Sequence, residues 1–269
     1  MSLFDSVEHH YARYRPRLPD QVVQLLAQEL AGAQAPRLLD LGAGTGQVAL
    51  SMLPALPPAA HLDLVDQDEG MLRTALDELR PHLGGRTATV HAVPAEKFAP
   101  AQPGYQADLV TCCRAFHWMN RPAVLAMADR VATSHAVVAI MGDGSLWTHK
   151  AEWTIALKAL IQTHLGEDRR AGTTGPYREP GRRYEDDLAD SPFSDITEHR
   201  IPFTRAWTAR NVLGYLRSTS FARPDLFTDH TGFEEQAEDL LLRHAKQDGV
   251  LHEDGVFTML LARRPGVPR

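Results

Sequence analysis

The residues best suited to chemistry lie in Arg37-Leu-Leu-Asp-Leu-Gly-Ala-Gly-Thr-Gly-Gln-Val-Ala49. A short apolar strand ends near an acid, Asp40, passes three alternating glycines at 42, 44 and 46, and re-enters a helix at Gln47. His61-Leu-Asp-Leu-Val-Asp66 gives a second strand that again ends in an acid, twenty residues past Gly46. This pattern predicts a nucleotide-type site, with a glycine loop on one strand and a carboxylate on the next to accept ribose hydroxyls. Glycine lets the backbone turn sharply and approach a ligand without a Cβ clash. A dinucleotide fingerprint needs glycine at its first, third and sixth positions, and the sixth position here is Gln47. No Lys-Ser or Lys-Thr pair follows, so the loop is not a phosphate-binding P-loop either.

The elements that must position these residues follow an alternating rhythm. Strands are predicted at 37–41, 61–65, 87–93, 107–113 and 135–141, with helices at 46–53, 69–83 and 122–131 between them. Such alternation calls for a parallel sheet covered by helices on both faces. Two helices, 5–15 and 20–31, precede it, hinged at Pro16 and Pro19; the second carries Val22, Val23, Leu25, Leu26 and Leu30 as an apolar stripe. Past residue 141 the rhythm changes to a helix at 150–165, a Gly/Pro/Arg/Asp-rich loop at 166–195, a strand at 196–203, helices at 209–218 and 233–244, and a strand at 256–261. A loop that long is read as part of a substrate cap or as a plain excursion.

The chain resembles the class I S-adenosylmethionine (SAM) dependent methyltransferases. Asp40-Leu-Gly-Ala-Gly-Thr-Gly46 is similar to their first motif, and Leu64-Val-Asp66-Gln-Asp-Glu-Gly-Met71-Leu to their second. Pro94-Ala95-Glu96, Ala107-Asp-Leu-Val110 and Phe116-His117-Trp118-Met119-Asn120 continue the likeness, the last resembling the His-Trp motif of a small-molecule branch. Tyr11, Tyr14, Arg15, Pro16 and Pro19 resemble that branch's opening segment, so the likeness covers about half of the chain, mainly 5–140. It implies a doubly wound, Rossmann-like, seven-stranded, mostly parallel sheet with an antiparallel edge. The expected layout is a single domain over 1–269: a helical lid at 1–31, a SAM-binding core at 32–141, a cap at 142–195 and C-terminal strands and helices at 196–269.

The resemblance assigns the cofactor to Tyr11, Arg15, Asp40, Gly42, Gly44, Gly46, Gln47, Asp66, Gln67, Met71, Ala95, Glu96 and Arg114. Tyr11 and Arg15 would reach the methionine end, whose carboxylate suits a guanidinium. Asp66 would take the ribose, with helix capping as the competing role and Asp68 as rival cap. Met71 would pack on adenine or in the core. Pro94 stands where the family often has an aspartate, which leaves the adenine amino contact open. His117 is the candidate general base, needed only if the acceptor must lose a proton, and Tyr14 the second candidate catalytic residue. The bland readings are a packed wall at His117 and an aromatic helix at Tyr11 to Arg15. Trp147, Trp153, Tyr177 and Phe221 are the aromatics to search for acceptor contact.

Bulk properties bound the rest. With 269 residues, 43% hydrophobic and 23% charged, the composition is that of an ordinary globular protein. A net charge of −6 argues against a nucleic-acid binder. Cys112 and Cys113 are neighbours on one predicted strand and point to opposite faces, which disfavours a disulfide between them. The acidic N-terminus is not expected to be a signal peptide, and the apolar run at 136–141 is too short to span a bilayer. The thirteen histidines show no metal-ligand spacing, so no metal is expected. The expectation is therefore a cytoplasmic enzyme that methylates an O, N or C atom of a small molecule, in bacterial secondary metabolism. Its rivals are a SAM-binding protein without transferase activity and an NAD-linked oxidoreductase, the latter disfavoured by Gln47.

Overall fold

Strands β1 (Arg37–Leu41), β2 (His61–Asp66), β4 (Ala107–Cys113) and β5 (Ala132–Gly142) carry near-continuous buried runs, while β3 (Thr87–Ala92) alternates exposed and half-buried positions. Continuous burial is what a parallel sheet covered on both faces demands, and alternation marks an edge. The structure, a computed structural model, describes residues 8–168, 170–171, 175–176 and 181–266. Two further long strands, β8 (Asp195–Trp207) and β9 (Leu251–Arg263), complete a seven-stranded sheet of order β3-β2-β1-β4-β5-β9-β8. The pairs β1–β2, β2–β3, β1–β4 and β4–β5 are parallel, and β9 runs antiparallel to β5. Helices cover both faces, so this is the expected mostly parallel, Rossmann-like sheet. A two-residue pair, β6 (Arg170–Ala171) with β7 (Gly175–Pro176), stands apart from it.

Local sequence accounts for the helices. In α1 (Glu8–Tyr14) and α2 (Asp20–Glu29) the chain is broken between them by Pro16 and Pro19, and Val22, Leu26 and Leu30 form the buried stripe. The short α3 (Gln47–Met52) follows the glycine loop. Helix α4 (Glu69–Leu79) starts at Asp68, whose Oδ1 accepts the Met71 N–H at 3.1 Å, and it tightens into a 3-10 turn at Arg80–His82 because Pro81 cannot continue it. Asn120 caps α5 (Arg121–Val131), Thr208 caps α8 (Ala209–Arg217) and Asp229 caps α9 (His230–His244); α6 (Glu152–Leu165) lacks a side-chain cap. One correction falls in the stretch read as a loop over 166–195: α7 (Tyr184–Ala189) forms there, with Leu188 fully buried. Strand β8 starts one residue before and ends four residues after its predicted bounds, and β9 starts five before and ends two after.

The chain divides into two compact units. The first takes Pro16–Gly142, Pro180–Ile201 and Phe257–Arg269, and the second takes Met1–Arg15, Asp143–Glu179 and Pro202–Val256. In the first, Leu39, Val65, Val110, Phe116, Ile140, Phe193 and Leu260 are among the core residues. In the second, Trp153, Leu157, Trp207, Leu216, Phe233 and Leu241 anchor a separate core. Burying side chains of this size stabilises each unit by roughly 1.5–3 kcal/mol apiece. Among the described residues no helix is long and apolar enough to cross a membrane.

Candidate cofactor site

From β1 the sheet order runs outward to β2 on one side and to β4 on the other. The carboxyl ends of β1 and β4 therefore flank the point where strand order reverses, the place where open α/β sheets bind ligands. Both the glycine loop and the Arg114–Trp118 segment leave the sheet there.

All three loop glycines adopt the left-handed region, with φ of +65°, +53° and +79° at Gly42, Gly44 and Gly46. Gly42 admits no side chain for a second reason: a Cβ there would lie 2.4 Å from Ala115 Cβ and 2.8 Å from Met119 Cε. The loop is thus pressed against the turn that follows β4. The N–H groups of Gly42 and Ala43 donate to the Val65 carbonyl at 2.8 and 3.1 Å, which ties the loop to β2 as well. Gln47, buried at the start of α3, donates from Nε2 to Thr45 Oγ1 at 3.2 Å.

Two carboxylates stand by this loop, and their surroundings differ. Asp40 is 2% exposed; Oδ1 accepts the Thr111 hydroxyl at 2.8 Å, and Oδ2 is buried with no hydrogen-bond partner. Burial pushes its carboxyl up to about 7; the Thr111 bond opposes that shift and the neighbouring Asp66 charge adds to it. Asp66 ends β2 half-buried. Its Oδ2 accepts the Gly44 N–H at 2.9 Å and its Oδ1 the Asp68 N–H at 3.0 Å. Burial raises this carboxyl too, while the Asp68 and Gly44 N–H groups pull it back. Asp68 takes the helix cap, leaving Asp66 to brace the loop. A carboxylate has about four acceptor sites, so Asp66 retains capacity for ligand hydroxyls.

The remaining expected residues are distributed as follows. Gln67 is exposed beside Asp66, and Met71 is 2% exposed on the buried face of α4 with Leu72, Ala75 and Leu79. Ala95 is buried and Glu96 half-buried in a 3-10 turn opened by Pro94. Arg114, at φ +57°, is the only non-glycine residue in the left-handed region among those described. Phe116 anchors the next turn at 1% exposure, edge-on to Tyr184, and leaves His117 and the 50%-exposed Trp118 on its outer side, ring centroids 4.8 Å apart. Both adjacent cysteines are free thiols. Burial drives the Cys112 thiol well above its ordinary value, so it is not a ready nucleophile.

Tyr11, Tyr14 and Arg15 belong to the second unit. There the Arg15 guanidinium donates to Ser218 Oγ and O at 3.1 and 2.9 Å and sits over the rings of Tyr11 and Tyr215, at 4.6 and 4.8 Å. Tyr14 lies so close to α8 that a Cβ on Gly214 would fall 2.4 Å from its ring. Trp153 is core, donating to the His252 carbonyl at 2.7 Å, and Trp147 meets Phe221 edge-on at 5.2 Å. Tyr177 lies outside the described residues. Thr111, the Asp40 partner, was not singled out from the sequence: its one signal was its place on β4, and the pairing joins residues 71 apart. No cluster of three or more His, Cys, Asp or Glu positioned for a metal occurs among the described residues.

A loop of left-handed glycines at the switch point of a doubly wound sheet, braced by the acid that ends the next strand, is the arrangement with which such sheets hold nucleotide-type ligands. The buried, unpartnered Asp40 oxygen suits a cationic cofactor better than an anionic one. Comparison with known proteins carries this further. Residues 39–138 match the family model described as a methyltransferase domain. The chain is 34% identical over 163 residues to a malonyl-[acyl-carrier protein] O-methyltransferase of Geobacter sulfurreducens, covering 59% of this chain and 57% of that protein. It is 24% identical over 248 residues to an uncharacterized methyltransferase of Mycobacterium tuberculosis, covering 91% of this chain and 88% of that one. Among solved structures, a protein of Anaeromyxobacter dehalogenans assigned as a type II methyltransferase superposes with a TM-score of 0.58 at 21% identity, over 93% of this chain and 98% of that one. At that identity the likeness shows the fold. Residues 39–138 thus match a methyltransferase domain, and the chain is similar to methyltransferases over the spans given.

Proposed function

We propose that this protein transfers the methyl group of SAM to an O, N or C nucleophile of a small molecule and releases S-adenosylhomocysteine. The observation that carries the reading is the pair of acids at the glycine loop, one bracing Gly44 and the other holding a buried oxygen with no partner. When bound, SAM supplies an electrophilic methyl on a sulfonium. Asp40, beneath the loop, favours that cationic end, and Asp66 accepts ribose hydroxyls with its remaining lone pairs. Ala95 and Glu96 border the adenine position, and Gln67 lines its approach. The Gly42–Gly46 backbone sets the depth at which the cofactor rests, and alignment of the acceptor with the methyl supplies most of the acceleration.

His117, exposed on the turn that follows β4, is the group placed to take a proton when the acceptor carries one. The name of the Geobacter relative supports an oxygen nucleophile. Acceptor choice falls to the Arg114–Trp118 segment, which leaves the carboxyl end of β4. A small molecule, rather than nucleic acid, suits the net charge of −6. We further read the chain as one cytoplasmic catalytic domain of secondary metabolism.

Calorimetric titration with S-adenosylhomocysteine beside NADH, on wild type and Asp66→Ala, tests the core of this. Binding of the former alone, weakened about tenfold or more by loss of charge-assisted contacts, is expected. A folded wild type that takes up NADH and not S-adenosylhomocysteine would overturn the reading.

A further inference from the structure

Residues 16–19 join α1 to α2 and lie at the carboxyl edge of the first unit's sheet, held at two points. At one end, the Pro16 carbonyl accepts the Arg114 Nη1 N–H at 3.0 Å. At the other, the Leu18 N–H donates to Ser51 Oγ at 3.2 Å, and that hydroxyl donates in turn to the Gln47 carbonyl at 2.7 Å. Gln47 opens the helix that follows the glycine loop, and Arg114 is the first residue past β4. The segment therefore spans the two strand ends that flank the switch point. Leu18 is 6% exposed, Pro19 starts α2 by accepting the Val22 N–H at 2.9 Å, and Arg17, between the pinned Pro16 and Leu18, is exposed.

Arg114 is held hard in this position. Its N–H donates to the Met141 carbonyl at 2.9 Å, its side chain passes close to Gly142, and its guanidinium sits 5.6 Å over the Phe257 ring. The φ of +57° costs an L-residue with a long side chain about 1 kcal/mol or more, and such strain persists only where the surroundings over-determine it. A glycine would meet the backbone demand without cost. What glycine lacks is the guanidinium that reaches Pro16.

We propose that residues 16–19 form a strap across the cofactor edge, pinned by Ser51 to the glycine-loop helix and by Arg114 to the end of β4, and that Arg114 is thereby a positioning residue for cofactor binding. This rests on the SAM reading above. Seating the strap and ordering the glycine loop are then one event, because the Ser51 pin ends on Gln47 itself.

Trypsin reads the strap directly, since the Arg17–Leu18 bond is cleavable and the Arg15–Pro16 bond is not. The full-length wild type, Ser51→Ala, Arg114→Lys, Arg114→Ala and Arg114→Gly would be digested under native conditions. Cleavage after Arg17 is followed by mass spectrometry, and S-adenosylhomocysteine affinity and urea unfolding are measured in parallel. Loss of one hydrogen bond from a charged donor should raise the cleavage rate of the folded protein about tenfold in Arg114→Ala and Arg114→Gly. S-adenosylhomocysteine affinity should fall by a factor of about three to ten in both, with Arg114→Lys in between. Arg114→Gly, relieved of the backbone strain, should unfold at a urea concentration no lower than Arg114→Ala while remaining equally impaired in binding.

Cleavage and affinity both within twofold of wild type in Arg114→Ala would overturn the strap. Faster cleavage with unchanged affinity would overturn the positioning role. If Arg114→Ala does not fold, Ser51→Ala and Arg114→Lys carry the same comparison. A wild type that fails to bind S-adenosylhomocysteine fails the cofactor reading, and the protease rates, which need no cofactor, tell that failure from loss of the strap.

Discussion

Asp40 makes the stability of this protein depend on pH around neutrality, in the direction opposite to most carboxylates. Burial raises its carboxyl from the ordinary 3.8 to about 7. At 1.36 kcal/mol per unit, this sets a ceiling of about 4 kcal/mol on the energy at stake. The sign follows from proton counting. Below pH 4 the folded and unfolded chains both hold the proton, and the group contributes no difference. Between pH 4 and 7 only the folded chain holds it, so stability falls as pH rises, and above 7 the full cost of a buried charge remains. Asp40→Asn keeps an oxygen for the Thr111 hydroxyl and cannot ionise. Urea unfolding of both proteins at pH 4.5, 6, 7 and 8 should show wild type losing ground to Asp40→Asn up to about pH 7 and levelling off by pH 8, by about 3 kcal/mol over that range. A stability difference that stays flat from pH 4.5 to 8 would refute the assignment of the raised carboxyl to Asp40.

The same proton should appear in cofactor binding: SAM affinity of wild type is expected to rise between pH 6 and 8, and that of Asp40→Asn to be weaker and flat, as read by calorimetry in two buffers of different ionisation enthalpy. Asp63 is the mirror case. Bonds from His91 Nε2, Arg37 Nη1 and Tyr105 Oη at 2.9, 2.7 and 3.0 Å overcome its burial and hold the carboxyl below its ordinary value. Its stabilisation is present above pH 4 and lost on acidification, so Asp63→Asn should flatten the acid limb of the stability curve. Gly42→Ala should lower stability by roughly 2 kcal/mol or more and abolish S-adenosylhomocysteine binding, since its Cβ would overlap Ala115; Gly32→Ala, with φ +88° and nothing within 4 Å, should cost only about 1 kcal/mol of strain. Asp68→Ala, which removes the cap of α4, should cost about 1 kcal/mol by urea unfolding with little change in cofactor affinity.

What the sequence reveals here is local. The glycine loop, the acids ending β1 and β2, the Asp68 cap and the five-strand rhythm each declare themselves within a few residues, because turn geometry and hydrophobic period act at that range. Helix α7 escapes notice because half of its six residues, Tyr184–Ala189, are acidic and they sit among Gly, Pro and Arg; Tyr184 and Leu188 are the apolar residues that pack. Pairings across the fold are the other blind spot. Nothing near Arg15 announces Ser218, 203 residues away, and nothing near Asp40 announces Thr111. The residues of the cofactor loop were therefore legible, and what each of their polar atoms binds in the folded chain was not.

The bond between Asp66 and Gly44 has an implication for redesign. An acid that only greeted a ribose would be a free parameter, open to exchange when a different nucleotide is wanted. Here the same carboxylate is a structural tie, so the loop it supports is already shaped before any ligand arrives. An engineer replacing it with a neutral or basic side chain would unmoor the glycine turn along with altering the preference. A new brace for the Gly44 amide has to be installed first, and only then can the specificity of the pocket be moved.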